Sequence, residues 1–307
     1  MKIALVINRS SGALLGLTDA PRDLERKLAD AGFDVGAVLD GDASDLVARA
    51  EHAASLPVEA VITAGGDGTI MTAAQALAGA GKALGPLPLG TMNLLARDLG
   101  IPLDLDEAIV ALASAERIPI DLGEVNGHVF LCNSMLGVPA RLAERRERGR
   151  QNMGVTGWWR LVVAGLKGLY RYPPLRVGLD LGQGPVTFRS KAIVVANNAY
   201  DEGFGHFLSR SRLDRGELAL YVTRHLSAWP LIRISARVAI GNWRQDPDIE
   251  TFAVRELTVT SRRKLLRVMN DGETMLLKPP LLYRIRPKAL LALRPHGEES
   301  AAPEAAA

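Results

Sequence analysis

One glycine-rich turn directly follows a short apolar segment, and it carries the clearest chemical signal in the sequence. The turn is Gly65-Gly66-Asp67-Gly68-Thr69, and the apolar Ala60–Thr63 before it predicts a buried strand. Glycines let backbone N–H groups approach a bulky anion, and a helix beginning at Thr69 adds partial positive charge. A carboxylate in such a loop would repel the anion unless a cation intervened. The turn therefore predicts a phosphate site with Mg²⁺ at Asp67, although a plain strand-to-helix turn has the same composition.

Two other turns follow predicted strands in the same half of the chain. One contains Asn8, Ser10 and Gly12, and the other contains Gly90, Thr91 and Asn93. Taken alone, the Gly90 turn is equally consistent with an ordinary N-capped helix. Together the three turns predict a cradle for phosphate groups. Its candidate ligand-binding residues are Asn8, Ser10, Gly65, Gly66, Asp67, Gly68, Thr69, Thr91 and Asn93.

The elements that position these turns follow from the apolar patterning of residues 1–121. The predicted strands are Lys2–Ile7, Phe33–Val38, Ala60–Thr63 and Leu87–Leu89. The first predicted helix runs from a cap at Thr18 or Asp19 to Gly32, and the second from a Ser44 cap through Leu46, Val47 and Ala50. Two more are predicted over Thr69–Ala78 and Asn93–Leu99. Alternation of this kind predicts a Rossmann-like α/β domain with a mainly parallel sheet. The carboxyl ends of its strands share one edge, so the three turns are expected to meet there.

Residues 122–286 change to short β-rich runs and predict a second domain, an all-β sandwich. Asn126-Gly127 is a strong hairpin signal. Further strands are predicted at Arg176–Leu181, Val186–Phe188, Ala192–Ala196, Leu218–Val222, Leu257–Thr260 and Leu266–Met269. Helices are predicted at Thr156–Tyr170 and Trp229–Ile240, and the tail 297–307, rich in Ala, Glu and Ser, is expected to be disordered.

These motifs, in this order, resemble the diacylglycerol kinase catalytic-domain superfamily, which includes bacterial diacylglycerol kinases and the sphingosine and ceramide kinases. The matching segments are Asn8–Gly12, Gly65–Thr69, Pro88–Asn93, Ile120–Gly123 and Asn270–Glu273. The resemblance implies a phosphofructokinase- and NAD-kinase-like first domain, to which residues 287–296 would return. It also implies a kinase that transfers the γ-phosphate of Mg·ATP to a hydroxyl of a membrane lipid such as diacylglycerol. A homodimer is common among relatives.

The resemblance also implies residue roles. Asp67 and its turn would bind the ATP phosphates, and Asp271, supported by Glu273, would be the general base. From the residues alone, Asn270-Asp271-Gly272 is a plain hairpin turn. Two departures stand out: Met92 and Leu94 replace the glycine and aspartate usual in relatives. In addition, Arg215 occupies the place of a metal-binding carboxylate, so the structural Mg²⁺ site at Asp214–Gly216 is predicted to be absent.

Charge is unevenly distributed along the chain, although the net charge is only +3. The first 120 residues carry an acidic excess, and residues 141–176 combine nine Arg and Lys with two Glu and the pair Trp158-Trp159. This pattern predicts docking on an anionic membrane surface. A helix with a solvated basic edge is the alternative. Nucleic acid is not expected as a partner, because the chain shows no recognisable nucleic-acid module and few aromatic residues.

The remaining composition limits the class of protein. A single cysteine, Cys132, excludes a disulfide framework, and no apolar run approaches the roughly 20 residues of a membrane span. We therefore expect a cytoplasmic enzyme associated peripherally with the inner membrane face. Two alternatives stay open: an NAD kinase-like enzyme with a soluble substrate, and a catalytically silent nucleotide-binding or membrane-tethering module.

Overall fold

The computed structural model describes residues 1–11, 14, 19–140, 173–182, 184–201, 209–224, 233–234, 236–237, 242–243 and 246–296. The chain divides into two compact units. Unit 1 contains Met1–Pro119 and Leu290–Ala307, and unit 2 contains Ile120–Ala289. The predicted helix at Thr156–Tyr170, most of the one at Trp229–Ile240, and the tail 297–307 lie outside the described residues.

Unit 1 contains a parallel sheet, as the alternating pattern predicted. Its strands are β1 (Lys2–Asn8), β2 (Asp34–Gly41), β3 (Ala60–Gly65), β4 (Ala83–Pro88) and the last residues of β16 (Leu281–Arg294). The order is β2-β1-β3-β4-β16, and Leu291 and Ala292 of β16 pair with β4. Every residue of β3 and β4 is buried, which explains why both strands are almost uniformly apolar.

The helices of unit 1 are α1 (Ala20–Asp30), α2 (Leu46–Ser55), α3 (Asp67–Leu77), α4 (Leu94–Asp98) and α5 (Leu105–Ala113). The prediction that Ser44 caps the second helix is wrong, because Ser44 lies inside a 3₁₀ turn at Ala43–Asp45. Val47, predicted on the apolar face of that helix, is 61% exposed. Sequence reasoning missed α5, although Asp104 caps it by accepting the N–H groups of Asp106 and Glu107.

Unit 2 is a β-sandwich, which confirms the predicted fold class. One sheet has the order β16-β13-β8-β9, with β5 and β6 beside β16, and the other is an antiparallel sheet of order β12-β11-β10-β7-β14-β15. Its strands are β5 (Glu116–Val125), β6 (His128–Phe130), β7 (Asn133–Gly137), β8 (Leu175–Asp180), β9 (Pro185–Ser190), β10 (Ala192–Asn197), β11 (Leu218–Thr223), β12 (Ile249–Val254), β13 (Glu256–Thr260), β14 (Leu266–Asn270) and β15 (Glu273–Leu277). Alternate residues of both sheets form the core.

The hairpin predicted at Asn126-Gly127 joins β5 to β6. Both residues have positive φ, 47° and 86°, as a type I′ turn requires. Strands β7, β12, β15 and β16 were not predicted, because polar residues interrupt the apolar pattern in each of them. Within the described residues, no helix has the length and apolar character needed to cross a bilayer.

Candidate functional site

The three turns predicted to form a cradle lie together in unit 1, each at the carboxyl end of a parallel strand. The Asn8 side-chain amide after β1 donates a hydrogen bond to the Thr69 hydroxyl, with an N···O distance of 2.9 Å. The Ser11 hydroxyl donates to the carbonyl oxygen of Leu89, after β4, over 3.4 Å. These two bonds connect the first turn to the other two.

Glycine is required where the second and third turns meet. A Cβ on Gly90 would lie 3.0 Å from the Cα of Gly66 and 2.9 Å from Oδ1 of Asn93, so any side chain there would push the two turns apart. A Cβ on Gly66 would meet nothing closer than 3.8 Å. Packing within unit 1 therefore does not require glycine at position 66. A ligand that binds against this backbone would require it.

Asp67 connects the glycine-rich turn to the start of α4. Its Oδ1 accepts the backbone N–H of Leu94 over 2.9 Å, and its Oδ2 accepts that of Asn93 over 3.2 Å. Asn93 adopts a left-handed conformation with φ 49°. Its side chain accepts the N–H of Gly90 over 2.7 Å and donates to the carbonyl of Pro88 over 3.2 Å. Both side chains thus fix the geometry of the turns.

The residues predicted to contact a nucleotide differ in how exposed their side chains are and in whether their polar atoms already bond within the protein. Thr69 and Asn93 are 3% and 7% exposed, and their polar atoms bond within the protein. Thr91 is exposed, and the Ser10 hydroxyl accepts the N–H of Ala43. Gly66 lies at the N-terminus of α3, where the first N–H groups have no partner within the helix.

This arrangement fits a nucleotide phosphate accompanied by Mg²⁺. The backbone at Gly66 carries no side chain, and the start of α3 favours negative charge. Each carboxylate oxygen of Asp67 accepts one hydrogen bond and keeps a lone pair for a cation or its water. Met92 and Leu94, which replace the glycine and aspartate usual in relatives, both lie in this region. The Met92 side chain is 37% exposed, and the backbone N–H of Leu94 donates to Asp67.

The predicted base, Asp271, lies in unit 2 in the turn between β14 and β15. Asp271 and Gly272 both have positive φ, so the plain hairpin interpretation of these residues describes the backbone correctly. The carboxylate is buried and accepts three backbone N–H groups. Leu131 donates to Oδ2 over 2.5 Å, while Cys132 and Asn133 donate to Oδ1, each over 2.8 Å. Oδ2 therefore keeps one lone pair.

Burial raises the pKa of Asp271 above its ordinary value, while the three N–H donors and the nearby charge of Arg210 lower it. The net direction is upward. Glu273, the predicted supporting carboxylate, is the first residue of β15 and is exposed. It pairs with Asn270 across the hairpin.

Sequence reasoning missed Arg210, which lies beneath the loop that holds Asp271. Its side chain is 1% exposed and donates to the carbonyls of Leu131 over 2.8 Å and Asn197 over 2.6 Å, and to the Sγ of Cys132 over 3.2 Å. The buried Asn197 amide donates to the same Leu131 carbonyl over 2.8 Å. No local pattern around Arg210 distinguishes it from its exposed neighbour Arg212, so only tertiary structure identifies it.

The turn predicted to lack a metal is held by backbone hydrogen bonds. Asp121, fully buried, accepts the N–H groups of Gly216 over 2.7 Å and Lys288 over 2.8 Å. Asn198 accepts the N–H of Arg215 over 3.0 Å. A hydrogen bond from Arg212 keeps the pKa of Asp214 below its ordinary value. In the part of the chain that the structure describes, no three His, Cys, Asp or Glu residues cluster as a metal site would need. That the Asp214–Gly216 site holds no metal stays a prediction.

Fold and site together define a two-domain protein with a glycine-rich turn at a helix N-terminus in its α/β half and a buried aspartate turn in its β-sandwich. Family models match both halves: the diacylglycerol kinase catalytic domain over residues 2–125, and the YegS C-terminal NAD kinase beta sandwich-like domain over residues 134–294. The second model covers more than half of the chain, so the chain belongs to the family with this YegS C-terminal domain, and the first model agrees with the diacylglycerol kinase resemblance of the motifs.

Individual relatives agree with this assignment. The chain is 39% identical over 118 residues to a Klebsiella pneumoniae protein and 49% identical over 94 residues to a Pseudomonas aeruginosa protein, both named "Probable lipid kinase YegS-like". These matches cover 40% and 30% of the two relatives, and 38% and 30% of this chain. A crystal structure of a diacylglycerol kinase from Bacillus anthracis has the same fold, with a TM-score of 0.70 at 19% identity, covering 95% of this chain and 96% of that one.

Proposed function

We propose that this protein is an ATP-dependent kinase that phosphorylates a hydroxyl group of a membrane lipid such as diacylglycerol. The observation that carries the proposal is the convergence of three turns at the carboxyl edge of the unit 1 sheet. There the Gly66 backbone and the α3 N-terminus form an anion site beside Asp67. Relatives named as lipid kinases, and a diacylglycerol kinase of the same fold, support a lipid as the acceptor.

In unit 1 the proposed role of each residue follows from whether its polar atoms can contact a ligand or already bond within the protein. The backbone from Gly66 to Gly68 would bind the phosphates, with Asn8, Ser10 and Thr91 beside them. Asp67 would hold Mg²⁺, which supplies positive charge against the transferring phosphoryl group. Thr69 and Asn93 would act indirectly, because their hydrogen bonds keep the turns in position.

In unit 2, Asp271 would be the general base. The lipid oxygen forms a bond to the γ-phosphorus, the bond from that phosphorus to the oxygen of ADP breaks, and the hydroxyl proton passes to the carboxylate. Oδ2 is the acceptor atom, because Oδ1 already receives two N–H groups and Oδ2 only one. A raised pKa makes the carboxylate a stronger base than an exposed aspartate.

The test is transfer of label from γ-labelled ATP, with Mg²⁺, to diacylglycerol, phosphatidylglycerol, ceramide or a sphingoid base in mixed micelles. We expect a labelled lipid with the wild-type protein and a loss of at least 100-fold with Asp67→Ala. Asp106→Ala, at an exposed carboxylate paired with Lys27, is the matched control and should keep full activity.

Two outcomes would replace the proposal. Labelling of NAD and of no lipid would indicate an NAD kinase-like enzyme. Binding of ATP without transfer to any acceptor would indicate a silent nucleotide-binding module. That second outcome is consistent with the way Asp67 and Asp271 both bond to backbone N–H groups.

A further inference from the structure

One end of the unit 2 sandwich brings together strand ends that are far apart in sequence. In the first sheet, Arg176 of β8 pairs with Arg189 of β9, and Gly178 pairs with Thr260, the last residue of β13. In the second sheet, Leu266, the first residue of β14, pairs with Leu277, the last residue of β15. The β9–β10 and β13–β14 connections both pass between the sheets at this end.

Basic residues dominate the part of this end formed by β8, β9, β13, β14 and β15, which we call the basic end, whereas the carboxylates Asp246, Asp248 and Glu250 at the β11–β12 part pair with arginines. It is defined by the segments 173–178, 186–192, 260–267 and 275–279. These segments contain no aspartate or glutamate. Their basic residues are Arg176, Arg189, Lys191, Arg262, Arg263, Lys264, Arg267 and Lys278.

The arrangement of these cations is unfavourable within the protein itself. Arg176 and Arg189 are both exposed and lie directly opposite each other on neighbouring antiparallel strands, a like-charge pair that costs stability. Arg262, Arg263 and Lys264 are exposed and consecutive in one connection. Among the described residues, no side chain forms an ion pair with any of these five. An external anionic surface would relieve their repulsion.

Two exposed leucines accompany the cations. Leu265 is 51% exposed and Leu276 is 54% exposed. Leu276 pairs with Arg267 in the β14–β15 hairpin, and Leu265 lies directly after Lys264 and directly before β14, so both leucines are next to cations of the basic end. Exposed leucines next to cations are typical of surfaces that lie on lipid headgroups. Nucleic acid is less favoured, because the only aromatic residue of these segments, Phe188, packs against the core.

The chain also connects the basic end to the segment whose sequence predicts membrane docking. Residues 141–172 lie outside the described residues, but the chain enters them after β7 and leaves them before β8. Gly137, at the end of β7, pairs with Ala192 beside Lys191, and β8 begins at Leu175, next to Arg176. The described chain therefore resumes within the basic end at residue 173, and it stops at residue 140, three residues after Gly137, which pairs with this end.

We propose that the basic end docks on the surface of an anionic lipid bilayer, through Arg262, Arg263 and Lys264 with Arg176 and Arg189 beside them. Asp271 lies beyond the other end of β14, about 17 Å from Leu266 along the strand. Docking is thus separate from the candidate base and does not depend on phosphoryl transfer.

The test is co-sedimentation of the full chain with vesicles of phosphatidylcholine, with or without about one third phosphatidylglycerol. The wild-type protein should bind only the anionic vesicles, and binding should weaken as salt rises. Arg262→Gln/Arg263→Gln should reduce the binding constant by about 10-fold or more. The matched control is Arg22→Gln/Arg255→Gln, which removes the same charge at exposed sites away from the basic end, and it should bind as the wild type does.

Three results would overturn the proposal. They are an equal loss of vesicle binding in both double variants, no loss of binding in Arg262→Gln/Arg263→Gln, and no binding of the wild-type protein to anionic vesicles. Binding of an oligonucleotide in place of vesicles, through the same arginines, would indicate a nucleic-acid surface. Asp67→Ala protein should still bind vesicles, so failure of docking and failure of catalysis give different results. Thermal unfolding shows that each variant is folded.

Discussion

At the residue scale, the two candidate carboxylates are both fixed by backbone N–H groups. Asp67 accepts two such groups and Asp271 accepts three. A carboxylate oxygen can accept more than one hydrogen bond, so this fixing orients the side chain and still leaves lone pairs for a ligand. The same contacts make each aspartate important for stability as well as for chemistry.

Substituting Asp271 with asparagine should separate those two contributions. The amide replaces one acceptor oxygen with an NH₂ group facing N–H donors, so Asp271→Asn should lose about 1–3 kcal/mol of unfolding free energy. Lipid phosphorylation should fall by about 10²–10⁴-fold. Chemical denaturation and the transfer assay measure the two effects, and Asp201→Asn, at a half-buried aspartate bonded to Ser211, is a control for the assay. Unchanged transfer would exclude Asp271 as the base.

The pH dependence follows from the direction of the pKa shift. The base must be ionised, so kcat should rise with pH through the raised pKa of Asp271, above the ordinary value of about 3.9. The folded state binds this proton more tightly than the unfolded state. This carboxyl therefore lowers stability as pH rises from about 3.9 to its folded pKa. Denaturation of wild type and Asp271→Asn across that range should show this contribution in the wild type only, and parallel curves would contradict it.

At the scale of elements, unit 1 builds its candidate site from turns rather than from side chains. Gly66 and Gly90 approach each other closely, while the hydrogen bonds of Asn8 and Asp67 hold the turns together. The glycines differ in what surrounds them, because a Cβ on Gly90 would meet backbone and a Cβ on Gly66 would not.

This difference predicts opposite behaviour for two alanine variants. Gly90→Ala should lower the unfolding free energy by about 1–3 kcal/mol, because its Cβ would force the turns apart. Gly66→Ala should change stability by less than about 0.5 kcal/mol and still weaken Mg·ATP binding, because the methyl group would occupy the anion site. Thermal unfolding and calorimetric titration with ATP measure both quantities. Full ATP affinity in Gly66→Ala would place the phosphates elsewhere.

At the scale of the molecule, buried polar groups connect distant parts of the chain within each unit. In unit 2, Arg210 bonds to residues near positions 131 and 197, and its charge acts on Asp271. In the same unit Asp121 connects the turns at Gly216 and Lys288. The Leu131 carbonyl that Arg210 bonds belongs to the same loop whose N–H groups Asp271 accepts.

Two arginines, two positions apart, provide a matched test of that role. Arg210→Leu removes a buried cation together with its hydrogen bonds to two carbonyls, so it should cost about 3–5 kcal/mol of stability. Arg212→Leu removes an exposed pair with Asp214 and should cost less than about 1 kcal/mol. Thermal unfolding compares them. Equal losses would mean that the burial of Arg210 does not determine its contribution.

Much of the fold could be predicted because it follows local rules. Apolar runs and glycine turns located β1, β3 and α3, and Asn126-Gly127 located a hairpin, since their residue types favour these conformations locally. Strand β15 was missed because its burial depends on pairing with β14 and not on its own pattern. Only the end of β4 was predicted, and its first residues were missed because Gly85 and Pro86 are typical of a turn and form a strand only beside β3.

The sequence by itself determined the two-domain class and the turns that carry Asp67 and Asp271, since short-range backbone preferences and apolar periodicity are written in consecutive residues. Tertiary structure alone decided the partners of those carboxylates, the burial of Arg210 beside an exposed Arg212, and the gathering of cations at one sandwich end. Burial and strand register depend on residues tens or hundreds of positions away, and no local pattern contains that information.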